Sequence, residues 1–82
     1  MSTDIEQKII TIVCDQMAAS PEQRKNITRQ TKLVALGAED IDLTEIAMRL
    51  EEEFTITLDD SKKAVTIGDF VDAVKEKLDA KR

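Results

Sequence analysis

The sequence predicts an all-α fold, a bundle of four helices of which three are long and one is short. Apolar residues recur at intervals of three and four positions in three separate segments, as they do in helices that bury one face. Residues that favour helix starts stand before these segments. Only residues 55–58 alternate like a strand, and a lone strand would leave its backbone groups without partners, so no sheet is expected.

The first helix is predicted from an apolar stripe whose start Thr3 or Asp4 is expected to cap. The stripe ends before Ser20, a good capping residue, and Pro21, which suits the first turn of a helix. This pair predicts one short helical turn. The residues of the stripe are Ile5, Ile9, Ile12, Val13 and Met17.

A long loop is predicted over residues 25–38, between the first and second long helices, because this segment has no clean period. Its apolar residues are spaced so that they can anchor the loop to the core, which distinguishes it from a disordered linker. Gly37 is expected to close the loop. The predicted anchors are Ile27, Leu33, Val34 and Leu36.

The second long helix follows at once, with Asp40 or Asp42 as the predicted N-terminal cap. Asp42 and Glu45 have the three-residue separation of a capping box, with aspartate in place of serine or threonine. Residues 55–58 after this helix are predicted to form a loop. The apolar stripe consists of Leu43, Ile46, Ala47, Leu50 and Phe54.

The predicted short helix begins at Asp59-Asp60-Ser61 and runs through Ala64, and the last long helix is capped by Thr66 with Asp69. The stripe of the last helix is Ile67, Phe70, Val71, Val74 and Leu78. The first helix is expected to pack against the second and last long helices. The residues predicted at these contacts are Ile5, Ile9, Val13, Ile46, Leu50, Phe70 and Val74.

Length and composition limit the chemistry of the chain. Its 82 residues are expected to form a single domain, 1–82, with a small core. The single cysteine, Cys14, excludes a disulfide within the chain, and the absence of histidine removes the usual zinc and general-base sites. Cys14 is predicted to be a buried structural thiol. No apolar run is long enough for a membrane span, so a cytoplasmic monomer without membrane insertion is expected.

The charge of the chain is concentrated in one segment. Residues 37–60 contain nine acidic residues and one basic residue, Arg49, a balance of −8, whereas the remainder balances at +3. The net charge of −5 argues against binding to nucleic acid or to an anionic membrane surface. A basic protein surface is the expected partner of the acidic segment.

Three carboxylates crowd the start of the second long helix, Glu39, Asp40 and Asp42, and four explanations compete for them. A calcium or magnesium site is disfavoured because Ile41 and Leu43 interrupt the ligand spacing, and no saturable ion site is expected. Acid–base catalysis needs a buried carboxyl that keeps its proton, whereas a helix start favours the ionised form. Helix capping accounts for only one of the three acids.

A docking surface explains the remaining acids, which continue along the same helix. Met48 lies off the buried stripe, so it is expected to project among carboxylates, and Ile41 is expected to be exposed in the same way. Apolar anchors ringed by charge suit a binding surface, because burial supplies affinity while charge supplies steering. The predicted partner-binding residues are Ile41, Asp42, Glu45, Met48, Glu51 and Glu52.

The stretch LGAEDIDLTEIAMRLEEEF, residues 36–54, resembles the core of acyl carrier proteins, which have Leu-Gly-Ala-Asp-Ser-Leu-Asp followed by Leu-Glu-Glu-Glu-Phe. The similarity extends over nearly the whole chain, from Glu6-Gln7-Lys8-Ile9-Ile10 to Thr66-Ile67-Gly68-Asp69-Phe70. It implies a four-helix carrier fold and a role in fatty acid, lipid or polyketide-type biosynthesis. The implied partners are basic surfaces of synthase and transferase enzymes, and the implied protein is not itself an enzyme.

The chain departs from this family at the attachment position, since the family carries 4'-phosphopantetheine on a serine and Asp40 stands in its place. A carboxylate is no substitute for the hydroxyl, because an acyl phosphate would be labile in water. Thr44 lies one turn further on, and the serines stand in unrelated contexts. No cofactor is therefore expected on this sequence, and 4'-phosphopantetheine is expected only if residue 40 were serine.

Several explanations of this departure remain open at the level of sequence. The chain could be a natural homologue that docks without carrying, a regulatory or structural subunit that uses the same acidic face, or a true carrier whose serine was engineered to aspartate. A divalent-ion-binding protein is a further alternative. Arg49 also departs from the usual pattern of the acidic helix and could alter which partner fits.

Overall fold

The computed structural model describes residues 2–58 and 63–80 and confirms the all-α prediction. Its helices are α1 (Ser2–Met17), α2 (Pro21–Asn26), α3 (Asp40–Phe54) and α4 (Ile67–Ala80). A 3-10 helix, Leu33–Leu36, lies within the long connection between α2 and α3. The described residues form no strand, and their one β-type pairing is an isolated antiparallel bridge between Lys32 and Thr66.

The core lies where α1 packs along both α3 and α4, whose contact with each other is smaller. Six of the seven residues predicted at these contacts are buried, and the seventh, Ile5, is partly buried against them, so the predicted packing is confirmed. The buried cluster consists of Ile9, Val13, Leu33, Leu43, Ile46, Ala47, Leu50, Ile67, Phe70, Val71 and Val74.

Helix α2 and the start of α1 differ from their predicted form. The turn predicted at Ser20 is the six-residue helix α2, with a reciprocal capping box in which Gln23 N donates to Ser20 Oγ at 3.2 Å and Ser20 N donates to Gln23 Oε1 at 2.8 Å. α1 begins at Ser2, so Thr3 and Asp4 lie inside its first turn and do not precede it. A negative charge at Asp4 is favourable there because it faces the positive end of the helix dipole. The predicted short helix at 59–64 falls mainly on residues 59–62, which lie outside the described residues.

The connection between α2 and α3 is anchored to the core as predicted, with one exception. Leu33 is buried and Leu36 packs against the core, but Val34 is 72% exposed, so its prediction as an anchor is wrong. The physical reason is the 3-10 geometry, in which residues three apart share a face. Leu33 and Leu36 therefore both face the core, while Val34 is turned away from it.

Backbone hydrogen bonds join this connection to the start of α4, in a contact that we call the loop–α4 junction (residues 29–33 with 65–68). The bonds are Leu33 N to Val65 O at 2.9 Å, Ile67 N to Thr31 O at 3.1 Å and Gly68 N to Arg29 O at 2.6 Å. The Arg29 guanidinium also donates to Asp72 at 2.8 Å and lies 3.9 Å from Glu6, so it links the junction to α4 and α1. The junction fixes the path by which the chain approaches α3.

The start of α4 has the capping box predicted from Thr66 and Asp69. Asp69 N donates to Thr66 Oγ1 at 3.2 Å, and the Asp69 carboxylate accepts from Thr66 N at 3.0 Å and from Val65 N at 2.8 Å. The two backbone N–H donors lower the pKa of Asp69 from its ordinary value because they stabilise the ionised form. The prediction of this cap is confirmed.

Cys14 is buried on α1, as predicted for a structural thiol. Burial raises its pKa because the thiolate would lose solvation, so the thiol form is favoured at neutral pH. Within the described ranges, no helix is both long and apolar enough to cross a membrane.

Replacement of Leu50 by Ala is expected to lower the free energy of unfolding by about 2–5 kcal/mol, because Leu50 is fully buried and the change leaves a cavity. Urea denaturation followed by circular dichroism measures the loss. Met48→Ala is the matched control, since Met48 lies on the same helix and is 55% exposed, and its effect should stay within about 0.5 kcal/mol. Equal losses for the two variants would contradict the assigned inner face of α3.

Gly68→Ala is expected to destabilise the bundle by about 1–3 kcal/mol, although alanine is the better helix former. An added Cβ would lie 2.9 Å from the Arg29 carbonyl oxygen, closer than real Cβ contacts come, and that oxygen is fixed by the junction. Urea denaturation measures the change. The loss should persist in an Arg29→Ala background, where the side chain is gone but the carbonyl remains; a stabilising effect of Gly68→Ala would refute the close approach.

Candidate functional site

The start of α3 is set by Glu39, which occupies the N-terminal cap position with an extended backbone (φ −109°, ψ 176°). The predictions of Asp40 or Asp42 as the cap and of a box between Asp42 and Glu45 are therefore wrong. Gly37 adopts the left-handed conformation (φ 83°) that ends the 3-10 helix, and the chain then extends through Glu39 before α3 begins. Asp42 is thus the third helical residue, and its carboxylate accepts a hydrogen bond from Glu39 N at 2.9 Å.

Asp40 is the first residue of α3, and its side chain is exposed. Its backbone carbonyl accepts a hydrogen bond from Thr44 Oγ1 at 3.1 Å. Among the residues that the structure describes, the Asp40 carboxylate has neither a hydrogen bond nor an ion pair. The cap is made by its neighbours, so the orientation of residue 40 does not depend on the Asp40 side chain.

Ile41, Glu45, Met48 and Glu52 form a row along the solvent side of α3, which we call the outer stripe. Their spacing of four, three and four residues places them on one helical face. That face lies opposite the buried side chains of Leu43, Ile46 and Leu50. Ile41 is 63% exposed and Met48 is 55% exposed. Two large exposed apolar side chains, Ile41 and Met48, therefore alternate along this face with two exposed carboxylates, Glu45 and Glu52.

The other two residues predicted to bind a partner, Asp42 and Glu51, lie at the flanks of the outer stripe and are half-buried. Asp42 closes the cap at Glu39, and the Glu51 carboxylate accepts a hydrogen bond from Leu58 N at 2.8 Å. Both carboxylates therefore bind backbone N–H groups near the ends of α3. They have a structural role in addition to the predicted contact with a partner.

A shallow cleft runs beside the outer stripe, where α3 faces α1. It is lined by Gln16, Glu45, Met48, Arg49 and Glu52. The Gln16 amide donates a hydrogen bond to the Glu45 carboxylate, which fixes Glu45 against α1. Sequence reasoning missed this role of Gln16, because no local pattern reports a contact between residues 29 positions apart. Further along the two helices, Lys8 and Glu53 form an ion pair at 3.5 Å.

Arg49 is the basic residue in this cleft, and it is exposed. No ion pair of its guanidinium occurs within residues 2–58 and 63–80, even though Glu45 and Glu53 lie four positions away on either side. A positive charge is thus available to solvent at the edge of a negative surface.

A metal centre at the start of α3 finds no support in the arrangement of the carboxylates. No group of three or more cysteine, aspartate or glutamate side chains among the described residues could hold a metal ion together. Of the three acids at residues 39–42, Asp42 is turned towards the backbone of the cap.

Comparison with known proteins identifies the family of this chain. The profile of the family described as phosphopantetheine attachment site matches residues 7–74. Acyl carrier proteins of Nitratidesulfovibrio vulgaris strains DP4 and Hildenborough are each 36% identical to this chain over 75 residues. The matched region covers 89% of this chain and 96% of each relative. The chain belongs to the acyl carrier protein family. The acyl carrier protein of the Miyazaki F strain is 37% identical over the same coverage, and the resemblance noted in the sequence is thereby confirmed.

Within this acyl carrier protein fold, Asp42 and Asp40 are expected to differ in their effect on stability. Asp42→Ala removes a capping hydrogen bond and should cost about 0.5–2 kcal/mol of unfolding free energy. Asp40→Ala removes only an exposed charge near the helix dipole, worth about 0.3–1 kcal/mol at low salt. Urea denaturation at low salt and in 1 M NaCl separates the two causes.

Salt should abolish most of the Asp40→Ala loss, because it screens exposed charges, while the Asp42→Ala loss should largely remain. Asp40→Asn is the matched control, since it removes the charge and keeps the size of the side chain. If the Asp42→Ala loss disappeared in 1 M NaCl together with the Asp40→Ala loss, the hydrogen bond between Glu39 N and Asp42 would be refuted as a source of stability.

Proposed function

We propose that this member of the acyl carrier protein family docks onto enzymes of acyl-chain biosynthesis through α3 and carries no prosthetic group on residue 40. The observation that carries the proposal is the outer stripe, in which the exposed side chains of Ile41 and Met48 alternate with the carboxylates of Glu45 and Glu52. When a partner covers large apolar side chains in such a setting, their removal from water stabilises the complex. The function is therefore that of a docking protein, and we assign it no catalytic residue.

Charge supports a basic partner for this surface. The segment from residue 37 to residue 60 has a balance of −8, which attracts positive surfaces and speeds encounter with them. Glu45 and Glu52 project on the outer stripe itself, while Asp42 and Glu51 add to the local field from its flanks. The proposed partners are basic surfaces of synthases and transferases that act on fatty acid, lipid or polyketide-type chains. Arg49, at the edge of the cleft, would favour a partner with an acidic group at the corresponding position.

The residues at the start of α3 do not fit the prosthetic group that the family description implies. We infer from the resemblance that Asp40 occupies the attachment position, where a hydroxyl is needed to hold a phosphodiester. The side chain there is a carboxylate. The hydroxyl of Thr44 lies one turn further along and donates to the Asp40 carbonyl, so it is already engaged in the helix. The proposed role of this chain therefore does not include carrying phosphopantetheine.

The protein as it stands should gain no mass when it is incubated with coenzyme A, magnesium and a broad-specificity phosphopantetheinyl transferase. The Asp40→Ser variant should gain the mass of the arm, because it restores the hydroxyl at a position whose orientation the neighbouring cap maintains. Intact-protein mass spectrometry measures both results. Asp40→Asn is the matched control, since it removes the charge without adding a hydroxyl, and it should remain unmodified.

Two results would count against this assignment. A gain of mass by the unaltered chain would mean that another hydroxyl is the attachment site. Failure of Asp40→Ser to load, with its helix content unchanged by circular dichroism, would mean that the docking surface no longer suits the transferase. The alternative of a regulatory or structural subunit with one dedicated partner would then be favoured.

A further inference from the structure

We propose that this chain is a dead-end competitor of loadable carrier proteins: it occupies the docking groove of the enzyme that loads them and leaves unchanged. The inference rests on the proposed function and adds a regulatory activity to it. The partner is defined by its chemistry, as an enzyme with a basic groove that has an apolar centre to receive Met48. The effect on the enzyme would be inhibition that depends on the concentration of this chain.

The first step of the argument is that docking and attachment involve different atoms. The outer stripe runs from Ile41 to Glu52, a separation of eleven positions that spans about 16 Å of helix. Asp40 lies beyond one end of it, and none of the stripe side chains contacts the Asp40 carboxylate by a hydrogen bond. Replacement of a hydroxyl by a carboxylate at residue 40 therefore leaves the surface for docking intact.

The second step concerns the backbone around residue 40. The hydrogen bond from Glu39 N to the Asp42 carboxylate holds the first turn of α3. The left-handed backbone at Gly37 sets the direction in which the chain enters that turn. Residue 40 is thus presented in one place whatever its side chain is. A docked partner would meet a carboxylate at the position where it needs a hydroxyl, and no covalent bond would form.

The third step is kinetic. A loadable carrier is converted to product when it docks, whereas this chain dissociates in the form in which it arrived and can dock again. Its occupancy of the groove therefore depends only on its concentration and its dissociation constant. At ten times that constant, free enzyme is reduced about elevenfold, and the apparent KM of the loadable carrier rises by the same factor with kcat unchanged.

The test uses a purified phosphopantetheinyl transferase, coenzyme A, magnesium and an acyl carrier protein that has the attachment serine. Initial rates of loading are measured against carrier concentration at several fixed concentrations of this chain. The expected result is an apparent KM that increases linearly with the concentration of the chain, with constant kcat and no gain of mass by the chain. An apparent KM that does not change would overturn the proposal.

Variants of the outer stripe show whether inhibition occurs through the proposed surface. Met48→Glu removes an apolar anchor and Glu52→Lys reverses a charge, and each should weaken inhibition about tenfold or more. Glu76→Lys is the matched control, because it makes the same charge change at an exposed position on α4. Circular dichroism is used to check that the three variants are folded. Equal weakening by Glu76→Lys would attribute the effect to net charge and overturn the proposal.

Direct calorimetric binding of this chain to the transferase separates the failure of the inference from the failure of the proposed function. One outcome is that this chain binds the transferase, that Met48→Glu abolishes the binding, and that the KM of the loadable carrier is unchanged. This outcome would refute the competition but support docking through the outer stripe. Absence of any binding, both by this chain and by Asp40→Ser, would refute docking on this enzyme and the competition with it.

Discussion

The burial of one face of α3 against α1 is the constraint on which the rest of this molecule depends. Ile46 and Leu50 are fully buried, as are Ile9 and Val13 on α1, and these side chains form the centre of a small core. A helix whose inner face is held in this way has a fixed outer face as well. The exposure of Ile41 and Met48 is therefore a consequence of packing on the other side of the same helix.

The crowded acids of the chain take different roles because a helix distributes consecutive residues around its axis. Asp42 and Glu51 reach backbone N–H groups at the two ends of α3, whereas Glu53 meets Lys8 on α1. Glu45 and Glu52 remain exposed on the outer stripe beside the apolar side chains, and Glu45 also accepts a hydrogen bond from Gln16 on α1. A cluster that looks uniform in sequence is thus divided into acids that stabilise α3 and acids that are available to a partner.

Much of this architecture could be predicted from sequence, because the three long helices each bury a stripe with the helical period. The outer positions of Ile41 and Met48 followed from the same periodicity. The exposure of Val34 could not be predicted, because it depends on a 3-10 turn that local composition does not distinguish from a loop. The cap at Glu39 also escaped prediction, since aspartate is the commoner capping residue and the actual start depends on the backbone at Gly37. The bond between Gln16 and Glu45 depends on tertiary packing alone.

The loop–α4 junction also has a consequence for how such a chain can evolve. Its backbone hydrogen bonds bring residues 31 and 67 together, so α3 lies within a long loop of the chain that these bonds close. Closure of a loop of this length costs about 3 kcal/mol of chain entropy, and that cost depends on the number of residues enclosed, not on their identity. Exposed residues within this closed loop can therefore be substituted without changing the entropic cost of joining its two ends. Substitutions on the exposed face of α3 can therefore change which partner is preferred while the fold of the bundle is kept.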